Sequence, residues 1–142
     1  MSNEEKQAEI SERRNNIEPK LRKIVQKQLK IILGEKEAKK VFLSKFDANK
    51  KAKYEKLQYE DLFDPNKSEI YFRDLENFIV KYWGKCFKNI FDTDIDKFKA
   101  RMILINYSRK GDSHAAEISE PDMQSFRGAM SWLEVKINDF FE

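Results

Sequence analysis

The sequence predicts an all-α fold, a helical bundle of about five to six helices, on three observations. Apolar residues recur at steps of three and four along most of the chain. Charged residues make up 37% of the 142, and only four glycines and three prolines punctuate them, the composition of helices joined by short connections. No stretch alternates apolar and polar residues strongly enough to read as a strand, and no internal repeat is present. Hydrophobic residues at 40% and aromatics at 13% suffice for one sizeable core.

Residues 3–33 read as the first helix. Ile17, Leu21, Ile24, Gln28 and Ile31 follow a 4-3-4-3 spacing, and Val25, Leu29 and Ile32 widen the stripe. Pro19 marks the start of the packed part, so residues 1–18 read as a polar, partly frayed N-terminal arm or helix extension and 19–142 as a single helical domain. Gly34 suits a helix C-terminus. A second short helix is expected over 35–47, a lysine-rich, loosely held helix over 49–56, and a flexible loop over Tyr59–Lys67, which contains the turn signal Asp64-Pro65-Asn66. A helix capped by Asp74 follows, with Leu75, Phe78, Ile79 and Tyr82 inward. After a break near Gly84, Trp83, Phe87, Ile90 and Phe91 continue at helical spacing. This aromatic cluster reads as core.

Asp92-Thr93-Asp94-Ile95-Asp96 has the opening of a calcium loop but fails its remainder, because Lys97 stands where glycine is needed and Ile103 where a bidentate glutamate is needed. It reads instead as a helix N-terminus, where aspartates cap free N–H groups. That helix runs to about Ser108, with Ile95, Phe98, Met102 and Ile105 on its inner line. The next step of four lands on Arg109, a charge on an apolar line. Lys110-Gly111-Asp112-Ser113 breaks or loosens the helix. Ser119 then caps a final helix with Pro121 in its first turn and Met123, Phe126, Met130, Leu133, Ile137 and Phe140 inward.

The net charge of +3 conceals an asymmetry. Between Lys20 and Lys56 there are 13 basic and 4 acidic residues, net +9, whereas Leu57 to the end is net −4. Such a basic third suits either a solvated lysine surface or a phosphate backbone. No apolar run approaches the ~18 residues of a membrane span. The polar, acidic first dozen residues do not read as a signal peptide, and a lone cysteine, Cys86, suits a reducing cytoplasm.

Several chemistries are excluded by residue inventory. One histidine and one cysteine cannot build a structural zinc site, and no glycine-rich loop precedes a helix to cradle a phosphate. No metal site and no cofactor are expected. Cys86, among Trp83, Phe87 and Ile90, reads as a buried thiol rather than a nucleophile. What remains is Asn106 to Ala115, which holds Arg109 and the only histidine, His114. A histidine near neutrality can take a proton from a ribose 2′-hydroxyl or give one to a leaving 5′-oxygen. An arginine can hold the scissile phosphate and stabilise its transition-state charge. The bland alternative for the pair is a helix-end arginine and an exposed loop histidine.

An arginine, four residues, then a histidine, at the end of one helix and before a final amphipathic helix, resembles the HEPN superfamily. Ile17-Glu18-Pro19-Lys20-Leu21-Arg22 is similar to the opening helix of HEPN domains at the ends of bacterial defence and restriction-associated proteins. Tyr82-Trp83 through Phe87 to Ile90-Phe91 is similar to their tryptophan-plus-phenylalanine segment, Asn106–Ala115 to their arginine–histidine segment, and Trp132-Leu133 to their last helix; together these cover roughly residues 10–140. The resemblance implies a helical bundle that dimerises, bringing two Arg109–His114 motifs into one cleft, and a metal-independent endoribonuclease of a bacterial defence or toxin-type system. Its implied partners are RNA, a second copy of the chain, and a larger effector chain or an antitoxin. Asn106, Lys110 and Asp112 are the auxiliary RNA-contacting candidates. Lys110 departs from the Asn, Asp or His usual after the arginine, and this favours the alternative of a non-catalytic dimerisation, RNA-binding or regulatory module. Ala116 occupies the position of a tyrosine that another branch of the family modifies, which argues against that branch. An unrelated helical interaction domain is the third reading.

Overall fold

The computed structural model describes residues 1–112 and 117–142, with the backbone alone for 107–112. Among the described residues the chain is all-helical, as expected. Seven α-helices follow one another: α1 Asn3–Leu33, α2 Glu35–Leu43, α3 Ala48–Glu55, α4 Phe72–Lys81, α5 Lys88–Phe91, α6 Ile95–Asp112 and α7 Glu120–Phe141. No described helix is long and apolar enough to cross a membrane. The residues fall into two compact units, one made of 1–20 with 88–142 and the other of 21–87. Helix α1 contributes to both.

In the first unit, residues 3–18 are not a frayed arm but regular helix. The reason lies at both ends of the stretch. Ser2 and Glu5 form a reciprocal capping box: the Glu5 N–H donates to Ser2 Oγ and the Ser2 N–H to Glu5 Oε1, each at 3.1 Å. Ile10 and Ile17, one heptad apart, are buried and extend the inner line of α1 upstream of Pro19. The polar residues between them pair with α7. Lys6 lies 3.4 Å from Glu120, Glu9 accepts two 2.8 Å bonds from Arg127, and Arg13 meets Glu134 and donates to Ser131 Oγ at 3.2 Å. The α7 partners of Lys6, Glu9 and Arg13 are thus spaced seven apart, and both helices run in the same direction. Pro19 sits inside α1, on its exposed side, and does not end it.

Arg127 holds the Glu9 carboxyl below its ordinary range, chiefly by donating hydrogen bonds to it. A depressed carboxylate contributes stability that is present at neutral pH and lost as acid protonates it. Glu9→Gln is therefore expected to lower the urea midpoint at pH 7, and the difference from wild type should vanish as the pH falls below the glutamate range. A difference that persisted in acid would place its origin elsewhere than the ion pair.

Helix α6 begins as expected at the aspartate cluster. Asp94 Oδ1 accepts the Lys97 N–H at 2.8 Å, and Asp92 adopts a left-handed φ of 46°, a conformation that aspartate tolerates. Phe98, Met102 and Ile105 are fully buried. On the opposite side of the helix Ile103 and Leu104 are 64% and 40% exposed. The helix runs past the expected end at Ser108 to Asp112, within the Lys110-Gly111-Asp112-Ser113 stretch expected to break or loosen it; Ser113 lies outside the described residues. Ser119 caps α7 by accepting the Asp122 N–H at 3.1 Å, and Met123, Phe126, Met130, Leu133 and Ile137 are buried. Trp132 is half-buried, with ring centroids 6.1 Å from Phe91 and 6.2 Å from Phe98 and the Arg101 guanidinium 4.3 Å over its face.

The second unit is built on residues 21–33 of α1. Leu21, Ile24, Val25 and Leu29 are buried, but Ile31, expected inward, is 72% exposed. It keeps the line of Ile24, one heptad upstream. Gly34, at φ 84°, turns the chain into α2. Asp47 caps α3 by accepting the Lys50 N–H at 2.9 Å. Tyr54 anchors that lysine-rich helix: its ring is buried and its hydroxyl accepts the Glu69 N–H at 3.1 Å. The stretch expected as a loop begins instead with a 3₁₀ turn over Tyr59–Phe63, because Tyr59, Leu62 and Phe63 are all apolar enough to be buried. The Asp64-Pro65-Asn66 turn follows, with the Asn66 N–H on Asp64 Oδ1 at 2.9 Å. Helix α4 starts two residues before Asp74, whose carboxylate reaches back to the Tyr71 N–H at 2.7 Å. One π-helical turn, Trp83–Phe87, replaces the expected break at Gly84. Trp83, Cys86 and Phe87 are buried in this unit, and Phe91 is buried in the first, so the aromatic residues expected as core are core.

Candidate functional site

The approach to the arginine–histidine segment is fixed by α6. Its aspartate cap sets the start, its buried line sets the rotation, and Asn106 is the last residue whose side chain is described, half-buried one residue past Ile105. Arg109 lies in the last turns of α6, and by helical periodicity its Cα continues the line of Phe98, Met102 and Ile105. Lys110 and Asp112 belong to the same helix end. The side chains of Arg109, Lys110 and Asp112, and all of His114, lie outside the described residues.

The exit from the segment is described. Ile118, just before the Ser119 cap, is 9% exposed. Its N–H donates to Asn3 Oδ1 at 2.8 Å and its carbonyl accepts from Lys6 Nζ at 2.8 Å. Both main-chain polar groups of this residue are thus taken by the first two turns of α1. Sequence reasoning missed Asn3 and Lys6. The signal that exposes them is Ser2-x-x-Glu5, a capping box that makes the following residues helical, together with Ile10 one heptad before Ile17.

The basic third of the chain is sorted by its partners. Lys39 donates to the carbonyls of Glu55 and Leu57, at 2.7 and 2.6 Å, and so closes the end of α3. Lys45 pairs with Asp74, Lys50 with Glu69 at 2.9 Å, and Lys30 with Glu60 at 2.8 Å. The Lys30 hydrogen bond holds the Glu60 carboxyl below its ordinary range. Lys23, Lys36, Lys40, Lys51 and Lys56 are exposed. Lys36, Lys39 and Lys56 line a cleft of about 360 Å³ with Glu35, Gln58, Tyr59 and Glu60. Tyr59 is no acid–base group there, since its hydroxyl donates to the Gln26 carbonyl at 2.7 Å and burial pushes its ionisation far above the ordinary phenol value.

Cys86 is buried, and burial pushes its thiol above the ordinary value, which removes it as a nucleophile. Among the described residues no three His, Cys, Asp or Glu side chains gather to hold a metal ion. No family model, no curated protein and no solved structure matches the chain.

Proposed function

We propose that the chain is an HEPN-like, metal-independent endoribonuclease of a bacterial defence or toxin-type system, acting as a homodimer with Arg109 and His114 of the two copies facing one cleft. The observation that carries the reading is the placement of the segment. Arg109 continues the buried line of α6 near the end of that helix, and the sole histidine follows five residues later, before a firmly capped α7. One His114 takes the proton of the 2′-hydroxyl as that oxygen attacks phosphorus. The 5′-oxygen leaves, protonated by the other copy's His114 in its imidazolium form, and Arg109 stabilises the charge that builds on the phosphoryl oxygens. The products are a 2′,3′-cyclic phosphate and a 5′-hydroxyl. Asn106, Lys110 and Asp112 contact the RNA beside the scissile bond.

The second reading, a non-catalytic RNA-binding or regulatory module, is supported by Lys110 and by the exposed lysines of the 21–87 unit. One experiment separates the two: the purified chain is incubated with single-stranded RNA in EDTA over a range of salt. The first reading predicts cleavage. Intact RNA that is bound with an affinity falling steeply with salt supports the second.

A further inference from the structure

The lysines of the 21–87 unit differ in what answers their charge. Lys45, Lys50 and Lys67 each meet a carboxylate, of Asp74, Glu69 and Asp61 respectively. The cleft lined by Lys45 and Lys50 also holds Asp47, Glu69 and Asp74, so its lysines are balanced within it. The cleft of about 360 Å³ lined by Lys36, Lys39 and Lys56 is not. Its two acids, Glu35 and Glu60, both face Lys30, at 3.7 and 2.8 Å. Lys39 spends its hydrogen bonds on the main-chain carbonyls of Glu55 and Leu57, which are neutral and leave its charge standing. Lys36 and Lys56 are exposed and form no ion pair among the described residues, and neither does Lys40, one turn after Lys36 on α2.

With Lys30 included, four lysines stand against two glutamates at this cleft, and Lys40 adds a further positive charge along α2. A concave surface with unanswered ammonium groups suits a chain of phosphates: a single strand enters it, whereas a flat bilayer surface does not. Lysines are point charges without the fixed fork of arginine, so they hold the backbone and do not read base edges. Resting on the reading of RNA as the ligand, we infer that this cleft is a second RNA contact, outside the arginine–histidine segment. Lys36, Lys40 and Lys56 each meet a backbone phosphate of a single strand and hold it without taking part in its cleavage.

The test uses the full chain and the triple variant Lys36→Gln/Lys40→Gln/Lys56→Gln, which changes only exposed side chains and should melt as wild type does. The probe is a fluorescent oligodeoxythymidylate, a single strand that has the phosphates but no 2′-hydroxyl to attack, so binding is read whether or not RNA is cleaved. The variant is expected to bind more weakly at low salt. The slope of log affinity against log salt should become shallower by about 2, at ~0.7 for each of the lost phosphate contacts. Lys45→Gln/Lys50→Gln/Lys67→Gln removes as much charge from the same unit and should leave the slope within about 0.5 of wild type. In RNA cleavage the first variant should raise KM and keep kcat within about twofold, as loss of uniform binding does. Equal slopes for wild type and the first variant, or an equal drop in both variants, would overturn the inference. So would wild type that binds phosphatidylserine vesicles but not the oligonucleotide. If the wild type cleaves no RNA yet the slopes differ as expected, the contact stands and the ribonuclease reading is what fails.

Discussion

His114→Ala is expected to lower the cleavage rate by 10²–10⁴-fold, the range spanned by removal of a positioned general acid or base. In a homodimer both copies lose the imidazole, so acid and base are removed together and the effect should lie toward the upper end. The thermal midpoint should stay within a few degrees of wild type, because the helices on either side are held by their own caps and buried lines: Asp94 and Phe98, Met102 and Ile105 for α6, Ser119 and Met123, Phe126 and Met130 for α7. Arg109→Ala should also suppress cleavage, by about 10²–10³-fold, as loss of one transition-state charge partner does. Gel-resolved cleavage rates alongside thermal melts check both. Equal rates for wild type and His114→Ala would remove the histidine from the chemistry.

The largest effect on stability is expected at Arg22. This arginine is 7% exposed, and its guanidinium donates to the carbonyl of Phe63 at 3.4 Å and to that of Ile70. It thus spans both ends of the segment containing the Asp64-Pro65-Asn66 turn and supplies charged donors to two main-chain carbonyls there. Arg22→Met keeps the apolar stem and removes the donors. Hydrogen bonds to a charged group contribute about 1.5–3 kcal/mol each, so a loss of about 3 kcal/mol is expected. In a chain of this size that lowers the melting midpoint on the order of 10 °C. Lys23→Met, on the same helix but exposed, should change stability by no more than about 0.5 kcal/mol. Equal urea midpoints for the two variants would show that the carbonyl contacts of Arg22 are not what holds the segment.

Arg22 and Arg109 mark how far the sequence could be read. Both are arginines on apolar lines: Val25 and Leu29 stand three and seven residues after Arg22, just as Ile105 and Met102 stand four and seven before Arg109. The rule that such a charge needs a reason applies equally to each. For Arg22 the reason is structural, a pair of main-chain carbonyls, and it could not be read from the sequence because hydrogen bonds across 41 and 48 positions leave no local pattern. Stability assays on Arg22 and cleavage assays on Arg109 therefore separate two roles that periodicity alone treats alike.

The long elements were legible because their signals are local. Asp94 and Ser119 mark the starts of α6 and α7, and the buried lines of both helices follow the 3-4 spacing. The short elements were less so. Tyr59–Phe63 reads as loop because five residues are too few for a period, yet three of them are buried. Residues 1–18 read as a polar arm or helix extension, and not as part of the packed domain, because their charges look solvated when α7 is not in view. Paired with Glu120, Arg127 and Glu134, the same charges form one side of a helix contact. Ser2-x-x-Glu5 marks the helix that carries Asn3 and Lys6 but not their partner, the main chain of Ile118, which has no side-chain signature.

The most direct measurement is the chemistry of the RNA ends. Single-stranded RNA incubated with the purified wild-type protein in EDTA is predicted to yield fragments with 2′,3′-cyclic phosphate and 5′-hydroxyl termini, the only ends that attack by the 2′-oxygen can leave, and none with His114→Ala. Fragments bearing 3′-hydroxyl and 5′-phosphate ends, or RNA left intact over a broad panel of sequences, would contradict it.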